Sequence, residues 1–201
     1  MINTRRDDVT RRWALRLSAC LLAGAAALTG CSEKQEASQS LPATSSAAPT
    51  EEALPPLGPE DLPMPDEARS QDAAGAEAFV RYYIELINRT STVMDAQPLR
   101  DLSDGCRDCD RIAGSIEEDA KAGKRYSGGE ITISGLGEPF IKPGTAELPL
   151  QADLAALTVM EASGAVDQED SSGAFQGLSG GAALRWNEQL ESWVMTALTL
   201  E

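Results

Sequence analysis

The hydrophobic pattern of this chain changes its period once, at Gly128-Gly129, and that change limits the folds it can adopt. Upstream, apolar residues recur at helical spacing over residues 71–92, on a face formed by Ala76, Phe79, Val80, Tyr83, Ile84 and Ile87. Downstream, residues 145–154 alternate apolar and polar side chains, which is the period of a strand with one buried face. Helices followed by antiparallel strands predict an α+β domain with its helices packed on one sheet face.

Two further helical segments follow the long helix. A short piece is predicted over residues 98–102. A second amphipathic helix comes next, and its inward residues are Ile112, Ala113, Ile116 and Ala120. This helix should stop at Gly123, because glycine readily takes the left-handed conformation that caps a helix.

The strand region carries several irregularities. Pro149 indicates an edge strand or a bulge, since proline cannot donate a hydrogen bond to the ladder. The alternation slips at Ala155-Ala156, which a β-bulge in a bent strand would explain; a helix over residues 152–162 is the alternative. The acidic, glycine-rich residues 167–181 are predicted to form a loop. A closing hairpin is predicted from residues 182–186 and 192–200.

The N-terminal region carries an export pattern. Five arginines and two aspartates precede residues 17–28, a run of mostly apolar residues. A membrane-spanning helix needs about 20 residues, so this run fits the shorter apolar core of a signal peptide. The stretch Leu28-Thr29-Gly30-Cys31 then resembles the bacterial lipoprotein signal. The resemblance implies cleavage between Gly30 and Cys31, a diacylglycerol thioether on Cys31, and attachment through that lipid to the extracytoplasmic face of the cell membrane.

The chain is accordingly divided into three parts: a signal peptide over residues 1–30, a tether over 31–68, and an α+β domain over 69–201. The tether is rich in Pro, Ser, Ala and Glu and has no aromatic residue. Such a segment buries too little surface to offset its ordering entropy, so it is predicted to be disordered. A flexible chain of its length reaches on the order of 35 Å.

Composition excludes several classes of function. The mature chain has 12 Lys and Arg against 30 Asp and Glu, whereas nucleic-acid binding needs a basic surface. The sequence has no histidine, which removes Ser-His-Asp and Cys-His catalysis and every His-ligated metal site. We therefore expect no nucleic-acid partner, no cofactor, no metal and no enzymatic activity.

Cys106 and Cys109 are the thiols that remain beside the anchor. In an exported protein the default for such a pair is a structural disulfide. A redox CxxC motif at a helix N-terminus is the alternative, although no βαβ pattern surrounds it. The nearby carboxylates Asp101, Asp104, Asp108 and Asp110 suggest calcium, but their spacing lacks the order of an EF-hand loop.

Two resemblances extend this interpretation. The order of elements resembles the cone-shaped fold of the nuclear transport factor 2 superfamily, in which a long N-terminal helix lies in a curved antiparallel sheet. The resemblance implies a cone interior, which Phe79, Tyr83 and Trp186 would face and line as a pocket. The stretch 75–83, the pair Cys106-x-x-Cys109, and the closing Leu184-Arg185-Trp186 with Trp193-Val194 also resemble an uncharacterised family of actinobacterial lipoproteins over residues 59–200.

The sequence thus predicts a membrane-anchored lipoprotein whose domain binds an unknown protein or small molecule, or serves as a spacer. A small-molecule carrier or enzyme that uses the cone interior is the first alternative. An envelope thiol-disulfide protein acting through Cys106 and Cys109 is the second.

Overall fold

The computed structural model describes residues 55–201. The predicted signal peptide, the cleavage site at Gly30 and Cys31, and most of the predicted tether lie outside these residues. No helix in the described part of the chain is both long enough and apolar enough to cross a membrane.

The helices precede the strands, as predicted. A 3-10 helix at Asp66–Arg69 comes first, followed by α1 (Ala73–Val93), α2 (Gln97–Asp101) and α3 (Arg107–Ala122). The Asp72 side chain accepts a hydrogen bond from the backbone N–H of Gly75 at 2.8 Å, which caps the start of α1. Gly123 ends α3 in the left-handed conformation with φ 76°, so this predicted stop is confirmed.

In residues 55–201, eight antiparallel strands form two sheets. They are β1 (Arg125–Gly128), β2 (Ile131–Leu136), β3 (Phe140–Lys142), β4 (Thr145–Leu154), β5 (Leu157–Met160), β6 (Val166–Ser172), β7 (Phe175–Asn187) and β8 (Ser192–Leu200). The larger sheet has the order β2-β4-β7-β8, with β3 also paired to β4, and the smaller sheet has the order β1-β5-β6. The predicted α+β class is therefore confirmed; the cone-like form of the nuclear transport factor 2 superfamily stays a prediction.

The core lies between α1 and the larger sheet. Along β4, buried and exposed residues alternate as the sequence predicts, and the buried set is Ala146, Leu148, Leu150 and Ala152. The first three belong to one apolar cluster with the inward face of α1. Asn88 fixes α1 to β2, because its side-chain amide exchanges two hydrogen bonds with the backbone of Ile131 at 2.8 and 2.9 Å.

Pro149 lies in an interior strand, not at an edge. On one side it pairs with Gly181 of β7. On the other side, β3 pairs with β4 up to Glu147, and β2 pairs with it from Leu150 onward. The missing N–H of Pro149 therefore falls at the junction between β2 and β3, and its carbonyl oxygen accepts a hydrogen bond from Gly137 at 2.9 Å.

The slip at Ala155-Ala156 marks a change of sheet. The strand β4 ends just before these two residues, and β5 begins just after them in the smaller sheet. The predictions of a single bent strand and of a helix over residues 152–162 are therefore both wrong. Gly128 and Gly129, where the hydrophobic period changes, allow the backbone to pass close to the segment between β4 and β5. Gly128 has φ 77°, and a Cβ on it would lie 2.2 Å from the carbonyl oxygen of Ala156.

The structure differs from the sequence prediction at residues 167–181 and at the start of the domain. Residues 167–181 are not a loop, because they contribute most of β6 and the first half of β7. The packed domain also begins before residue 69, since Met64 and Ala68 are buried in the core. Residues 55–68 form a strap on the domain, with hydrogen bonds from Tyr82 to Leu62 at 3.0 Å and from Arg89 to Asp61 at 2.9 Å.

Candidate functional site

The lipid-attachment site lies outside the described residues. Gly30 and Cys31 precede the first described residue, Pro55, by more than twenty positions. The lipid anchor therefore stays a prediction of the sequence, and the structure describes the domain that follows the predicted attachment site.

Cys106 and Cys109 form a disulfide at the start of α3. Their sulfur atoms are 1.98 Å apart and their Cα atoms 5.2 Å apart. The Cys106 sulfur also accepts a hydrogen bond from the backbone N–H of Cys109 and so caps the helix. The two residues are only 1% and 2% exposed. Thiol-disulfide exchange requires direct approach of a thiolate to a sulfur, and the low exposure of both residues favours the structural interpretation of this disulfide.

Phe79 and Tyr83 lie in the solid core. They are one turn apart on α1, with ring centroids 6.0 Å apart, and both are 0% exposed. The Tyr83 hydroxyl donates to the carbonyl oxygen of Leu99 at 3.2 Å, and burial raises its pKa to about 12. Side chains without accessible surface cannot line a cavity that a ligand enters, so the structure places this pair in the core, not along a pocket.

Trp186, the third residue predicted to line a pocket, belongs to the closing hairpin. Its ring lies edge-on to that of Trp193, with centroids 5.4 Å apart. Its backbone N–H donates to the carbonyl oxygen of Gly144 at 2.8 Å. The structure therefore brings Phe79 and Tyr83 together, and it pairs Trp186 with Trp193 at the turn between β7 and β8.

The four aspartates considered for calcium are distributed among separate polar partners. Asp110 is paired with Arg100, Asp108 with Arg111, and Asp104 with Arg185. Asp101 accepts a hydrogen bond from Gln97 at 2.7 Å. No group of three or more Asp, Glu, Cys or His side chains in residues 55–201 is arranged to hold a metal ion.

The densest charged cluster of the described domain surrounds Lys124, which follows the cap of α3. Its ammonium group lies 2.7 Å from Asp167 and 2.5 Å from Asp170, both on β6. Asp119 and Glu161 complete the surrounding carboxylates at 3.7 and 4.0 Å. Hydrogen bonds from Lys124 hold the pKa of Asp167 well below its usual range, and the same contacts raise the pKa of Lys124.

This cluster favours a structural role over a catalytic one. A nucleophilic or basic lysine needs a lowered pKa, whereas the pKa of Lys124 is raised. Tyr126 also joins the cluster by donating to Asp119, and its pKa is raised chiefly by burial. No sequence signal could have found this site, since two of its carboxylates lie on β6, most of which falls in the range 167–181 that the sequence predicts as a loop.

An apolar cleft lies between the strap and α2. It has a volume of about 420 Å³ and is lined by Pro56, Leu57, Gly58, Pro59, Pro98, Asp101, Leu102 and Leu190. Most of these side chains carry no polar group that could orient a substrate. The cleft therefore offers apolar contact and one carboxylate.

None of the curated proteins matches this chain. Among solved structures, the intermembrane space region of the chloroplast protein ARC6 is similar at a TM-score of 0.44 and 13% identity, over 65% of this chain and 97% of that one. Aln2 from a Streptomyces species is similar at a TM-score of 0.36 and 14% identity, over 66% and 93%. Both TM-scores are too low to support a statement about this fold.

The comparison with protein families gives a match over most of the described domain. Residues 59–199 match DUF6318, a family of unknown function. This range begins inside the strap and ends within β8. The chain therefore belongs to the DUF6318 family of unknown function.

Proposed function

We propose that this protein is a lipoprotein at the extracytoplasmic face of the cell membrane. In this proposal a lipid on Cys31 holds the chain on the membrane, and the domain over residues 55–201 acts as a non-enzymatic binding or spacer module. In the binding role, the partner of the domain is a protein or a small molecule.

One observation carries the proposal. The stretch Leu28-Thr29-Gly30-Cys31 ends an apolar run that is too short to span a bilayer and that follows an arginine-rich segment. Two acyl chains at about 0.8 kcal/mol per buried CH₂ hold a protein stably on a membrane, whereas a single chain gives only marginal binding. The acidic mature chain would gain nothing from electrostatic attraction to anionic lipid.

The described domain supports the binding part of the proposal. Phe79 and Tyr83 fill the interior beside α1. The outward side chains of β4 are exposed and include Glu147 and Gln151. A filled core beneath an exposed sheet face is suited to contact with a partner surface.

Replacement of the lipidated cysteine tests the anchor. Cys31→Ala removes the thiol that would accept diacylglycerol, so the protein should leave the membrane fraction and lose labelling by an alkyne-bearing fatty acid. Cys20→Ala is the matched control, because Cys20 lies in the apolar run upstream of the cleavage site. That variant should remain labelled and membrane-bound.

The two readouts decide the proposal together. If Cys31→Ala partitions and labels like the parent protein, the lipid anchor is refuted. Native mass spectrometry of the protein extracted from its own membrane then tests the module. A bound protein or small molecule identifies the partner class, and a bare mass supports the spacer role.

A further inference from the structure

The cleft between the strap and α2 has apolar surface on every side. Its volume of about 420 Å³ falls in the range of about 300–1,000 Å³ that is typical of ligand sites. Three leucines and three prolines from separate segments supply most of the lining: Leu57, Leu102, Leu190, Pro56, Pro59 and Pro98. Proline has a fixed φ and no backbone N–H, so these walls are stiff and offer an incoming side chain mainly apolar contact.

Hydrogen bonds and a tight bend fix the strap wall of the cleft. Buried Arg69 donates to the carbonyl oxygens of Pro55 at 2.6 Å and Leu190 at 2.8 Å, which joins the strap to the turn between β7 and β8. Gly58 has φ 84°, and a Cβ on it would collide with the hydroxyl oxygen of Tyr82. The cleft is therefore formed before a partner arrives, and a pre-formed site avoids the cost of ordering its walls on binding.

Carboxylates without a cationic partner adjoin the cleft. Asp101 lines it, and the carboxylate of Asp101 accepts a hydrogen bond at 2.7 Å from the neutral amide of Gln97. Glu60 and Glu191 are exposed, and each directly follows a residue that lines the cleft. None of these three carboxylates makes an ion pair within residues 55–201. Their negative charge is available to a cationic partner.

The arginines beside these residues do not neutralise the charge. Arg100 precedes Asp101, but its guanidinium is paired with Glu117 at 2.7 Å and Asp110 at 3.3 Å on α3. Arg69 is buried, and it donates to backbone carbonyl oxygens instead of carboxylates. A partner that docks here therefore meets apolar surface inside the cleft and acidic surface beside it.

We propose that this cleft binds a short segment of a partner protein in which an aliphatic side chain lies next to a lysine or arginine. The aliphatic side chain fills the cleft, and the cationic group lies against the carboxylate of Asp101. Apolar anchors seated in pockets carry most of the affinity of a protein interface, and charges at its rim contribute specificity and association rate. This inference deepens the binding role of the proposed function and rests on it.

The lining favours a protein segment over a small molecule. Small-molecule sites place several convergent polar groups around a ligand to fix its orientation. Among the described residues that line this cleft, Asp101 alone has a polar side chain. An aliphatic side chain of a protein needs no such set, because the rest of the partner holds it in position. The same carboxylate disfavours nucleic acid and anionic lipid, which both require basic surface.

A displayed peptide library tests the chemical class of the partner. The full lipidated protein is reconstituted in phosphatidylcholine vesicles, and a phage library of random peptides is selected on them after removal of phage that bind protein-free vesicles. We expect enriched peptides to combine Leu, Ile, Val or Met with a neighbouring Lys or Arg. Enrichment of no peptide, or of peptides that lack a basic residue, would overturn the proposal.

Two variants then locate the binding site of an enriched peptide, whose affinity is measured by fluorescence anisotropy. Leu190→Ala removes apolar surface and should weaken binding about tenfold. Asp101→Asn removes a charge at an exposed position, so it keeps the fold and should weaken binding about threefold to fivefold. Glu169→Gln on β6 is the matched control for loss of one carboxylate and should bind like the parent.

Salt dependence and flotation complete the test. Added salt at 0.5 M, roughly a 4 Å screening length, should weaken peptide binding more for the parent than for Asp101→Asn; parent-like affinity of both cleft variants would overturn the proposal. If the protein floats with the vesicles but no peptide is enriched, the lipid anchor and the spacer role stand without the cleft. If it does not float, the anchor fails, and selection on the same full chain held through a C-terminal tag decides the cleft separately.

Discussion

Lys124 joins the end of α3 to the smaller sheet. Its side chain is mostly buried and lies among carboxylates from the end of α3 and from the β5–β6 hairpin. Exposed ion pairs contribute little to stability, but here one ammonium group is shared by two aspartates that are both within hydrogen-bonding distance. The contacts link elements that are more than forty residues apart in sequence.

The Asp167–Lys124 pair should make stability depend on pH. The pKa of Asp167 in the folded domain lies below its unfolded value, which is about 4. The pair therefore adds stability above that pH, and this contribution is lost as the pH falls through the folded-state pKa. We expect Asp167→Asn to lower the melting temperature at pH 7 and the deficit to shrink progressively below pH ~4.

Thermal denaturation of the parent and the variant from pH 2 to pH 8 measures this effect. Glu169→Gln is the matched control, because Glu169 is an exposed residue of the same strand that makes no ion pair in the described domain. Its melting temperature should follow that of the parent at every pH. A deficit for Asp167→Asn that is equal at pH 2 and pH 7 would contradict the ion-pair explanation.

At the scale of single elements, the disulfide at the start of α3 should resist reduction in the native state. Both cysteines are buried, so a reductant reaches the sulfur atoms only when the helix start opens. We expect phosphine reductant to expose alkylatable thiols slowly in buffer and rapidly in urea, measured by the mass added by a thiol reagent. Equal rates in both would restore the redox alternative.

Loss of this disulfide should have a moderate effect on stability. In the chain-entropy treatment, a bridge that closes so short a loop contributes about 2 kcal/mol. The double variant Cys106→Ala/Cys109→Ala should therefore remain folded with a free energy of unfolding lower by roughly that amount. Failure of the variant to fold would show that the bridge stabilises more than the start of α3.

The elements predicted well from sequence are those whose pattern is local. The helical face of α1, the stop of α3 at Gly123 and the alternation of β4 depend on residues close in the chain. The strand β6 was missed because its mostly exposed, acidic residues carry a loop composition. The Lys124 cluster was missed for the same reason, since its carboxylates come together only after β6 pairs with β5.

At the scale of the whole molecule, the strap is the segment whose composition predicts a disordered tether although it packs on the domain. Its prolines and charged residues indicate a tether, but tertiary contacts override that signal. Met64 is buried in the core, and Leu57 and Leu62 are packed against it. Buried Arg69 joins Pro55 to the β7–β8 turn through three charge-assisted hydrogen bonds to backbone oxygens. The structural domain therefore includes the segment that a sequence-based boundary would remove.

Two truncated chains test this conclusion. A chain over residues 55–201 keeps the strap, and a chain over residues 69–201, which begins at the predicted boundary, loses it. Burial of a large apolar side chain such as Met64 stabilises a fold by about 1.5–3 kcal/mol, and the shorter chain also loses the hydrogen bonds that Leu62 and Pro55 accept. We expect the shorter chain to be less stable by about 3 kcal/mol or more in urea denaturation. Equal stability of the two chains would show that the strap rests on a domain that is already complete.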